Sequence, residues 1–311
     1  MFKHIQTLLI LFRDKAGSVK ICAPQTSLLG FNLMIVGLDI GASLAKGILL
    51  DKDLNIADKR VLPVEKPEDA AKKILKFFLE KGGYKRPIAM VAASGGGSRF
   101  LGDSFLGLPI RRVNEIRAIG LGGLILANKS EGLVVSAGTG TAIVAAYDNG
   151  SLIRHVCGTA VGGGTIMGLS RRILGVADFN VLEDMALKGN TNNVDLTVGD
   201  IVGGPIGIVP AEATASNLGK LTCESRNEDI AAGIFNMVSQ AIGVIAAMAA
   251  KAYRLEDNVI LVGMLAKSRI ISKTICETAE LFGAKVIVPE NCEFANALGA
   301  AAIALKEMGS Q

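Results

Sequence analysis

The sequence predicts an α/β fold that is duplicated, with two halves built from similar elements. Strand-like runs bent around a glycine turn occur twice, as GLDIGASLAKG at residues 37–47 and as SAGTGTA at residues 136–142. Helical patterns and further aliphatic runs follow each of them, as in α/β folds whose strands are covered on both faces. The composition agrees, because 50% of the 311 residues are hydrophobic, 37 are glycine and only 5% are aromatic.

The first half begins at Met34. MIVGLDIG and AKGILLD are predicted as strands around a tight turn, and NIADKRVLPV as a third strand. PEDAAKKILKFFLEKG is predicted as a helix, because Pro67 and two acidic residues suit a first turn and Gly82 suits the end. PIAMVAAS is a further strand that meets the glycine run at 95–97, and residues 113–128 have a helical pattern.

The second half repeats this order. Residues 132–156 predict a strand, a glycine turn, a strand, a hairpin turn at Asn149-Gly150 and another strand. QAIGVIAAMAAKAY is predicted as a buried helix, NVILVG and AKVIVP as strands, and NALGAAAIALKEMG as the last helix. A boundary near 128–132 gives domains 34–130 and 131–311, with a cleft between the two lobes where a small molecule would bind.

Residues 1–33 differ from the rest and are predicted to be a poorly ordered extension. Their apolar piece IQTLLILF is far shorter than the roughly 20 residues that span a bilayer. A net charge of +4 without a basic cluster argues against a nucleic-acid partner, and no segment predicts a membrane partner. The five cysteines have no CxxC spacing, so we expect reduced thiols and a cytoplasmic protein; they are Cys22, Cys157, Cys223, Cys276 and Cys292.

The two glycine turns are candidate phosphate-binding sites, because backbone N–H groups in such turns form concave anion sites. In the first turn, Asp39 is a candidate magnesium ligand and Lys46 a candidate phosphate partner. An ordinary hairpin with a surface aspartate and lysine is an equally good interpretation of that turn alone. The second turn favours phosphate binding over an ordinary hairpin, because it repeats the pattern of glycines and hydroxyl side chains. Its residues are Gly138, Thr139, Gly140 and Thr141.

Two further features need a ligand or a packing explanation. Gly162–Gly164 open a predicted helix, and bare glycine amides at a helix N-terminus favour an anionic ligand; a structural turn is the alternative.

A kinase also needs a carboxylate that accepts the proton of the acceptor hydroxyl. Asp39, Asp103 and Glu115 are the candidates. By itself, Glu115 is more simply an acid that interacts with a helix dipole.

Taken together, these segments resemble the sugar kinase, Hsp70 and actin superfamily, and within it the type II pantothenate kinases. The resemblance covers residues 34–308. It is carried by GLDIGASLAKGILL, AASGGGSRF, VNEIRAIGLGGLIL, SAGTGTAIV, GTAVGGGTIMGL, LEDMALKGNTNNVDLTVGDIVGG, NVILVGML and NALGAAAIAL. It implies a two-lobed, duplicated, actin-like (ribonuclease H-like) ATPase fold that uses ATP and Mg²⁺ to phosphorylate pantothenate, typically as a homodimer.

The resemblance also implies roles for individual residues. Glu115 corresponds to the catalytic glutamate, and Asp39 to the metal-binding aspartate. The nucleotide-side positions are Asp39, Gly41, Ser43, Lys46, Gly138, Thr139, Gly140, Thr141, Gly162, Gly163, Gly164, Thr165 and Gly263. The substrate-side positions are Ser94, Gly95, Gly96, Gly97, Arg99, Arg154 and His155.

Three departures leave alternatives open. Ala42 stands where a second glycine is common in the first turn. His155 stands where the family usually has a substrate-binding arginine, and Arg154 beside it is expected on the opposite face of the strand. The acceptor is therefore pantothenate or another small hydroxylated acid. Cys157 lies near a cluster cysteine of the iron–sulfur activator ATPases of 2-hydroxyacyl-CoA dehydratases, although GIVPAEATA holds no second cysteine.

Overall fold

The structure, a computed structural model, describes residues 10–13, 19–22, 33–80 and 87–309. It divides into two compact units. Unit 1 comprises Met1–Ile125 and Phe294–Gln311, and unit 2 comprises Leu126–Glu293. The predicted extension at residues 1–33 lies outside the described residues, apart from two short strands that pair with each other and from Leu33. Its predicted lack of order stays a prediction.

The described residues form strands and helices in the following order. The strands are β1 (Ile10–Arg13), β2 (Val19–Cys22), β3 (Met34–Ile40), β4 (Leu44–Asp51), β5 (Ile56–Pro63), β6 (Ile88–Ser94), β7 (Ser104–Phe105), β8 (Leu108–Arg112), β9 (Gly132–Ala137), β10 (Thr141–Tyr147), β11 (Leu152–Thr159), β12 (Leu196–Thr197), β13 (Thr214–Ser216), β14 (Val259–Val262) and β15 (Val286–Ile287). The α-helices are α1 (Pro67–Glu80), α2 (Glu115–Ala127), α3 (Gly163–Ile173), α4 (Phe179–Lys188), α5 (Val198–Val202), α6 (Asn227–Tyr253), α7 (Arg269–Leu281) and α8 (Ala295–Gly309).

The main sheets of the two units have the same topology. In unit 1 the strand order is β5-β4-β3-β6-β8-β7, and in unit 2 it is β11-β10-β9-β14-β15. In each of these sheets three antiparallel strands come first in sequence, and two strands parallel to the first of them follow. The sheet of unit 1 has a sixth strand, β7, which pairs antiparallel with β8 at the edge. The predicted duplication of the α/β fold is therefore confirmed.

The core of unit 1 explains why its strands were recognisable in the sequence. β3 is buried along its whole length, and α1 packs Ile74, Leu75 and Phe78 against the sheet. A pair of strands was missed between residues 94 and 113. β7 and β8 are too short to show an alternating pattern, although Leu108 is fully buried.

The last helix, α8, belongs to unit 1, which differs from the predicted division into 34–130 and 131–311. The backbone of α8 comes very close to the backbones of β3 and α2, which belong to the same unit. A Cβ at Gly37 would lie 2.1 Å from Ala297 O, and one at Gly299 would lie 1.9 Å from Ala118 O. Glycines at these positions let α8 pack on the sheet and on α2 with backbone in contact.

Unit 2 is organised around the long helix α6. It is the one described helix long and apolar enough to cross a bilayer, with a mean hydropathy of 1.8 over 18 residues. Because 67% of that window is buried inside the structure, α6 has the character of a core helix. Side chains such as Ile234, Phe235 and Ile242 are fully buried, which confirms the predicted buried helix.

A buried carboxylate ties α6 to the segment before it and makes the stability of unit 2 depend on pH. Asp229 is 2% exposed and accepts hydrogen bonds from Asn193 Nδ2 at 2.9 Å and from the backbone N–H of Asn190 at 2.8 Å. The Asn193 bond, and next the Asn190 bond, lower the pKa of Asp229. A lowered pKa stabilises the fold above the unfolded-state value, and this stabilisation is lost as pH falls through the folded-state value.

We therefore expect Asp229→Asn to lower the free energy of unfolding by about 2 kcal/mol at pH 7, because a charged acceptor is lost. The difference from wild type should shrink as the pH falls below the unfolded-state pKa of the aspartate and through the lowered pKa of Asp229 in the folded protein. Urea unfolding at several pH values measures this. An effect of the same size at pH 7 and pH 3 would contradict the assignment.

Candidate active site

The first predicted phosphate turn lies between β3 and β4 in unit 1. The antiparallel register pairs Asp39 with Lys46, and Lys46 Nζ lies 3.0 Å from Asp39 Oδ2. The Lys46 side chain is only 12% exposed, and the Asp39 side chain is only 9% exposed. The turn is closed by the N–H of Gly41, which donates to Leu44 O at 3.0 Å, and Ser43 is exposed. Lys46 and Asp39 thus form an almost buried ion pair, not the surface pair of the alternative interpretation.

Asn296, the second partner of Asp39, is not among the residues predicted from the sequence. Asn296 lies in the first turn of α8, is 8% exposed, and donates from Nδ2 to Asp39 Oδ1 at 2.8 Å. Its other amide atom, Oδ1, is buried and has no hydrogen-bond partner among the described residues. The signal was present, since Asn296 is the single polar residue in the otherwise small and apolar run ANALGAAAIAL.

The loop after β6 brings the predicted substrate-side residues beside Asp39. Ser94 is paired with Asp39 across the parallel strands, is fully buried, and its Oγ has no partner among the described residues. Gly95 has a φ of 80°, and a Cβ there would lie 2.7 Å from Asp39 Oδ1. A short 3₁₀ helix, Gly96–Phe100, follows, in which Gly97 is buried and Arg99 is exposed with its guanidinium over the Phe100 ring.

This geometry predicts a difference between two adjacent glycines. Gly95→Ala should reduce kcat/KM on the order of 100-fold, because its methyl group would displace the Asp39 carboxylate and such misplacements are costly. Gly96→Ala is the matched control, since a Cβ at Gly96 meets nothing within 4 Å. Steady-state kinetics on both folded variants measure the difference, and equal activities would refute the role given to Gly95.

Glu115 is the first residue of α2. The helix is capped by Asn114, whose Oδ1 accepts the N–H of Arg117 at 3.1 Å, and Glu115 is the acidic residue of its first turn. Solvent reaches this side chain. Partial burial among protein atoms nevertheless raises the pKa of Glu115, the charge of Asp39 raises it further, and Lys46 lowers it. The three charges of the predicted site are therefore close enough to act on one another.

Asp103, the other carboxylate considered as a base, has a different environment. It is 95% exposed and pairs with Arg112, whose Nη1 lies 2.9 Å from Asp103 Oδ1. The Arg112 guanidinium also donates to the backbone oxygen of Leu101. Asp103 therefore fixes a surface loop, and Glu115 is the better candidate for the base.

The oxygen atoms around Asp39 suit a magnesium ion. The Asp39 carboxylate, the unpartnered Asn296 Oδ1 and the unpartnered Ser94 Oγ are all hard oxygen donors, and two of them are buried without a partner. Magnesium typically uses one or two carboxylates and keeps several water ligands in such sites. The described residues contain no group of three or more His, Cys, Asp or Glu side chains placed for a metal. The donor set therefore fits Mg²⁺ bound together with phosphates.

Unit 2 holds the second predicted turn. It joins β9 to β10 and is closed by the N–H of Gly138, which donates to Gly140 O at 2.8 Å. Thr139 and Gly140 are exposed at its tip. Thr141 is 6% exposed and donates from Oγ1 to Val161 O at 3.0 Å, which fastens the turn to the start of α3.

The glycine run at the start of α3 is explained by packing against this turn. Gly163 N–H donates to Gly138 O at 2.8 Å, and Gly164 N–H donates to Thr139 O at 2.9 Å. Gly162 N–H donates to Thr165 Oγ1 at 3.2 Å, and a Cβ at Gly162 would lie 2.7 Å from Thr139 O. The glycines are thus required by the close approach of the chain itself. A direct role of these amides in nucleotide binding stays a prediction.

Gly263 and the pair Arg154–His155 complete the predicted positions in unit 2. Gly263 follows β14 with a φ of 96°, and a Cβ there would lie 2.3 Å from Ala137 O, so it packs against the end of β9. Arg154 and His155 are both exposed on β11. The pairing with β10 has an irregularity immediately after His155, where Val156 is the extra residue. The functions of these positions stay predictions.

Comparison with known proteins identifies the family. A model of the Fumble family matches residues 131–301. A type II pantothenate kinase from Bacillus cereus (strain G9842) is 30% identical over 257 residues, which cover 79% of this chain and 86% of that protein. The type II pantothenate kinase of Bacillus anthracis is 30% identical over 237 residues, covering 73% and 82%. This chain belongs to the type II pantothenate kinase family. The prediction that it is a kinase is therefore confirmed.

The fold of this type II pantothenate kinase family member is shared more widely. The activator of the 2-hydroxyisocaproyl-CoA dehydratase from Clostridium difficile, with bound ADPNP, superposes with a TM-score of 0.64 at 21% identity, covering 89% of this chain and 96% of that one. At that identity the likeness is one of fold alone. The predicted fold class, a duplicated α/β fold of the actin-like kind, is confirmed.

Proposed function

We propose that this kinase transfers the γ-phosphoryl group of ATP to the hydroxyl group of pantothenate, giving ADP and 4′-phosphopantothenate in the first step of coenzyme A biosynthesis. Pantothenate is the acceptor named for the relatives that are 30% identical. The structural observation that carries the chemistry is the group of Glu115, Asp39 and Lys46, in which burial and the Asp39 charge raise the pKa of the glutamate.

Glu115 is the proposed base. Its carboxylate accepts the proton of the acceptor hydroxyl while the hydroxyl oxygen bonds to the γ-phosphorus. The bond between the γ-phosphorus and the bridging oxygen breaks, and ADP leaves with the electron pair. A raised pKa brings a carboxylate closer to the operating pH, which makes it a more effective general base.

The other charges near Glu115 have the role of positioning phosphate. Lys46 neutralises negative charge on the transferred group, and Asp39 binds the cation that accompanies ATP. A bound Mg²⁺ supplies charge stabilisation for the phosphoryl oxygens. In unit 2, the exposed turn at Thr139 and Gly140 is proposed to bind nucleotide phosphate through its backbone, as glycine turns do.

The acceptor-side assignments are part of the same proposal. Ser94–Gly97 lie beside Asp39, and Arg99 is exposed at the end of that loop. Arg154 is proposed to bind the acceptor carboxylate, because its guanidinium can make a bidentate contact that His155 cannot make. A homodimer in the cytoplasm is the assembly and location that the family resemblance implies.

The direct test is ADP release by the purified protein with Mg·ATP and a panel of acceptors: pantothenate, other small hydroxylated acids, glucose and no acceptor. We expect pantothenate-dependent turnover with saturable kinetics. Turnover only with another acid would overturn the acceptor assignment. An oxygen-sensitive, brown preparation whose ATP hydrolysis ignores every acceptor would favour the activator alternative, in which Cys157 is a cluster ligand.

A further inference from the structure

We propose that Asn296 is a positioning residue that holds the Asp39 carboxylate in the orientation in which it binds the divalent cation of the metal–ATP complex. The inference rests on the proposed function for the presence of metal–ATP, but not for the identity of the acceptor. It assigns a role in phosphoryl transfer to the N-terminal turn of α8, which the sequence places 257 residues away from Asp39.

The two oxygens of Asp39 have separate partners. Lys46 Nζ lies 3.0 Å from Oδ2, and Asn296 Nδ2 lies 2.8 Å from Oδ1. Gly95 closes the remaining side, since a Cβ there would lie 2.7 Å from Oδ1. Rotation of the carboxylate out of its present plane, about the Cβ–Cγ bond, would break both contacts. Asn296 and Lys46 together therefore fix the plane of the Asp39 carboxylate.

The backbone around Asn296 has little freedom to move. The next residue, Ala297, has its backbone oxygen 2.1 Å from the position that a Cβ would take on Gly37. Ala295 O lies 1.8 Å from the corresponding position on Gly122. Backbone contacts on both sides of Asn296 thus hold its Cα against β3 and α2, and a rigid support is what a positioning residue needs.

The oxygen of the Asn296 amide is free to accept a hydrogen bond from a donor. Asn296 Oδ1 is buried without a hydrogen-bond partner among the described residues, and an unsatisfied buried acceptor is unfavourable. Since magnesium keeps several water ligands, a water of the metal–ATP complex is a donor of the right kind for this oxygen. Residues that orient a ligand carboxylate in this way typically change metal affinity about 10–100-fold when they are replaced.

The test is the affinity for Mn²⁺, measured by electron paramagnetic resonance in the presence of a non-hydrolysable ATP analogue. Wild type is compared with Asn296→Ala, and with Asn296→Leu in case the smaller side chain prevents folding. Asn236→Ala is the matched control. It removes the same kind of bond, from Asn236 Nδ2 to the buried Asp195 Oδ2 at 2.7 Å, within unit 2.

We expect both Asn296 variants to bind Mn²⁺ on the order of ten-fold more weakly than wild type. Asn236→Ala should lower the unfolding midpoint but keep the wild-type affinity. Wild-type affinity in the folded Asn296 variants, with only a lower unfolding midpoint, would reduce Asn296 to a structural role and overturn the inference.

Failure of the proposed function gives a different pattern. A wild-type protein that binds Mn²⁺ with the ATP analogue but does not use pantothenate would overturn the acceptor assignment. In that case a weaker affinity in the Asn296 variants would still support the inference. A wild-type protein that binds no Mn²⁺ with the analogue would overturn both.

Discussion

Replacing Glu115 by glutamine should reduce kcat for phosphoryl transfer by about 10²–10⁴-fold, the usual contribution of a positioned general base. Glutamine keeps the size and the hydrogen-bonding ability of the side chain but cannot accept the proton. The KM for ATP should stay within about three-fold of wild type, because Glu115 is assigned to the acceptor and not to the nucleotide. Steady-state kinetics with pantothenate and ATP varied separately measure both values.

Asp103→Asn is the matched control for this variant. It neutralises a carboxylate of the same unit whose partner is Arg112 and whose side chain is 95% exposed. We expect kcat within about two-fold of wild type, since exposed ion pairs contribute little. Equal losses in Glu115→Gln and Asp103→Asn would exclude Glu115 as the specific base.

The pH profile gives an independent check on the role of Glu115. The base must be ionised, so kcat falls as the pH decreases through the pKa of Glu115, which burial and the Asp39 charge raise above the ordinary value. Asp39→Asn removes a charge that raises this pKa and should move the acidic limb of the residual activity to lower pH. Lys46→Met removes a charge that lowers it and should move the limb to higher pH. Shifts of the opposite sign would contradict the assignment.

A large loss of stability is expected from Gly299→Ala. A methyl group there would lie 1.9 Å from Ala118 O and 2.8 Å from Gly122 N, so α2 and α8 would have to move apart. Overpacking of this kind costs typically about 1–3 kcal/mol and more where backbone atoms block the space, so we expect about 3 kcal/mol. Alanine is intrinsically the better helix former by about 1 kcal/mol, which offsets only part of the loss.

Gly168→Ala is the control for helix propensity. Gly168 lies in α3, is exposed, and a Cβ there meets nothing within 4 Å. This variant should be as stable as wild type or slightly more stable. Urea unfolding of the two variants measures the difference in the free energy of unfolding. Equal stability of Gly299→Ala and Gly168→Ala would show that the helices can separate at no cost.

Adding Gly122→Ala to Gly299→Ala tests the contact itself. A methyl group on Gly122 would lie 1.8 Å from Ala295 O, on the same helix pair. Once one substitution has separated the helices, the second should cost less than it does alone. Coupling of this kind is expected for residues that share a contact.

The predictions from sequence succeeded where the signal was local. The strands β3, β4, β9 and β10 were recognised because buried aliphatic runs flank turns rich in glycine. The hairpin at Asn149-Gly150 was recognised because an Asn-Gly pair is typical of tight turns. In the structure Asn149 adopts a φ of 54°, a conformation that asparagine tolerates. The charges of the first turn were found because Asp39 and Lys46 are paired in the register of a single hairpin.

The glycine run at 162–164 shows where a local signal was interpreted incompletely. Its composition indicated a close approach of something to the backbone, and a nucleotide was expected. In the structure the approaching group is the chain itself, the turn at Gly138 and Thr139, which accepts the amide hydrogens. Anion binding and backbone packing both require glycine, so the residue type alone does not separate them.

By itself the sequence determined the α/β class, the duplication, the two glycine turns and the family. These depend on hydrophobic periodicity, on backbone conformations that glycine allows, and on motifs in a fixed order. Only the tertiary structure decided that α8 returns to unit 1 and that Asn296 meets Asp39. An apolar helix has the same periodicity whichever sheet it covers, and a contact across 257 residues leaves no local pattern.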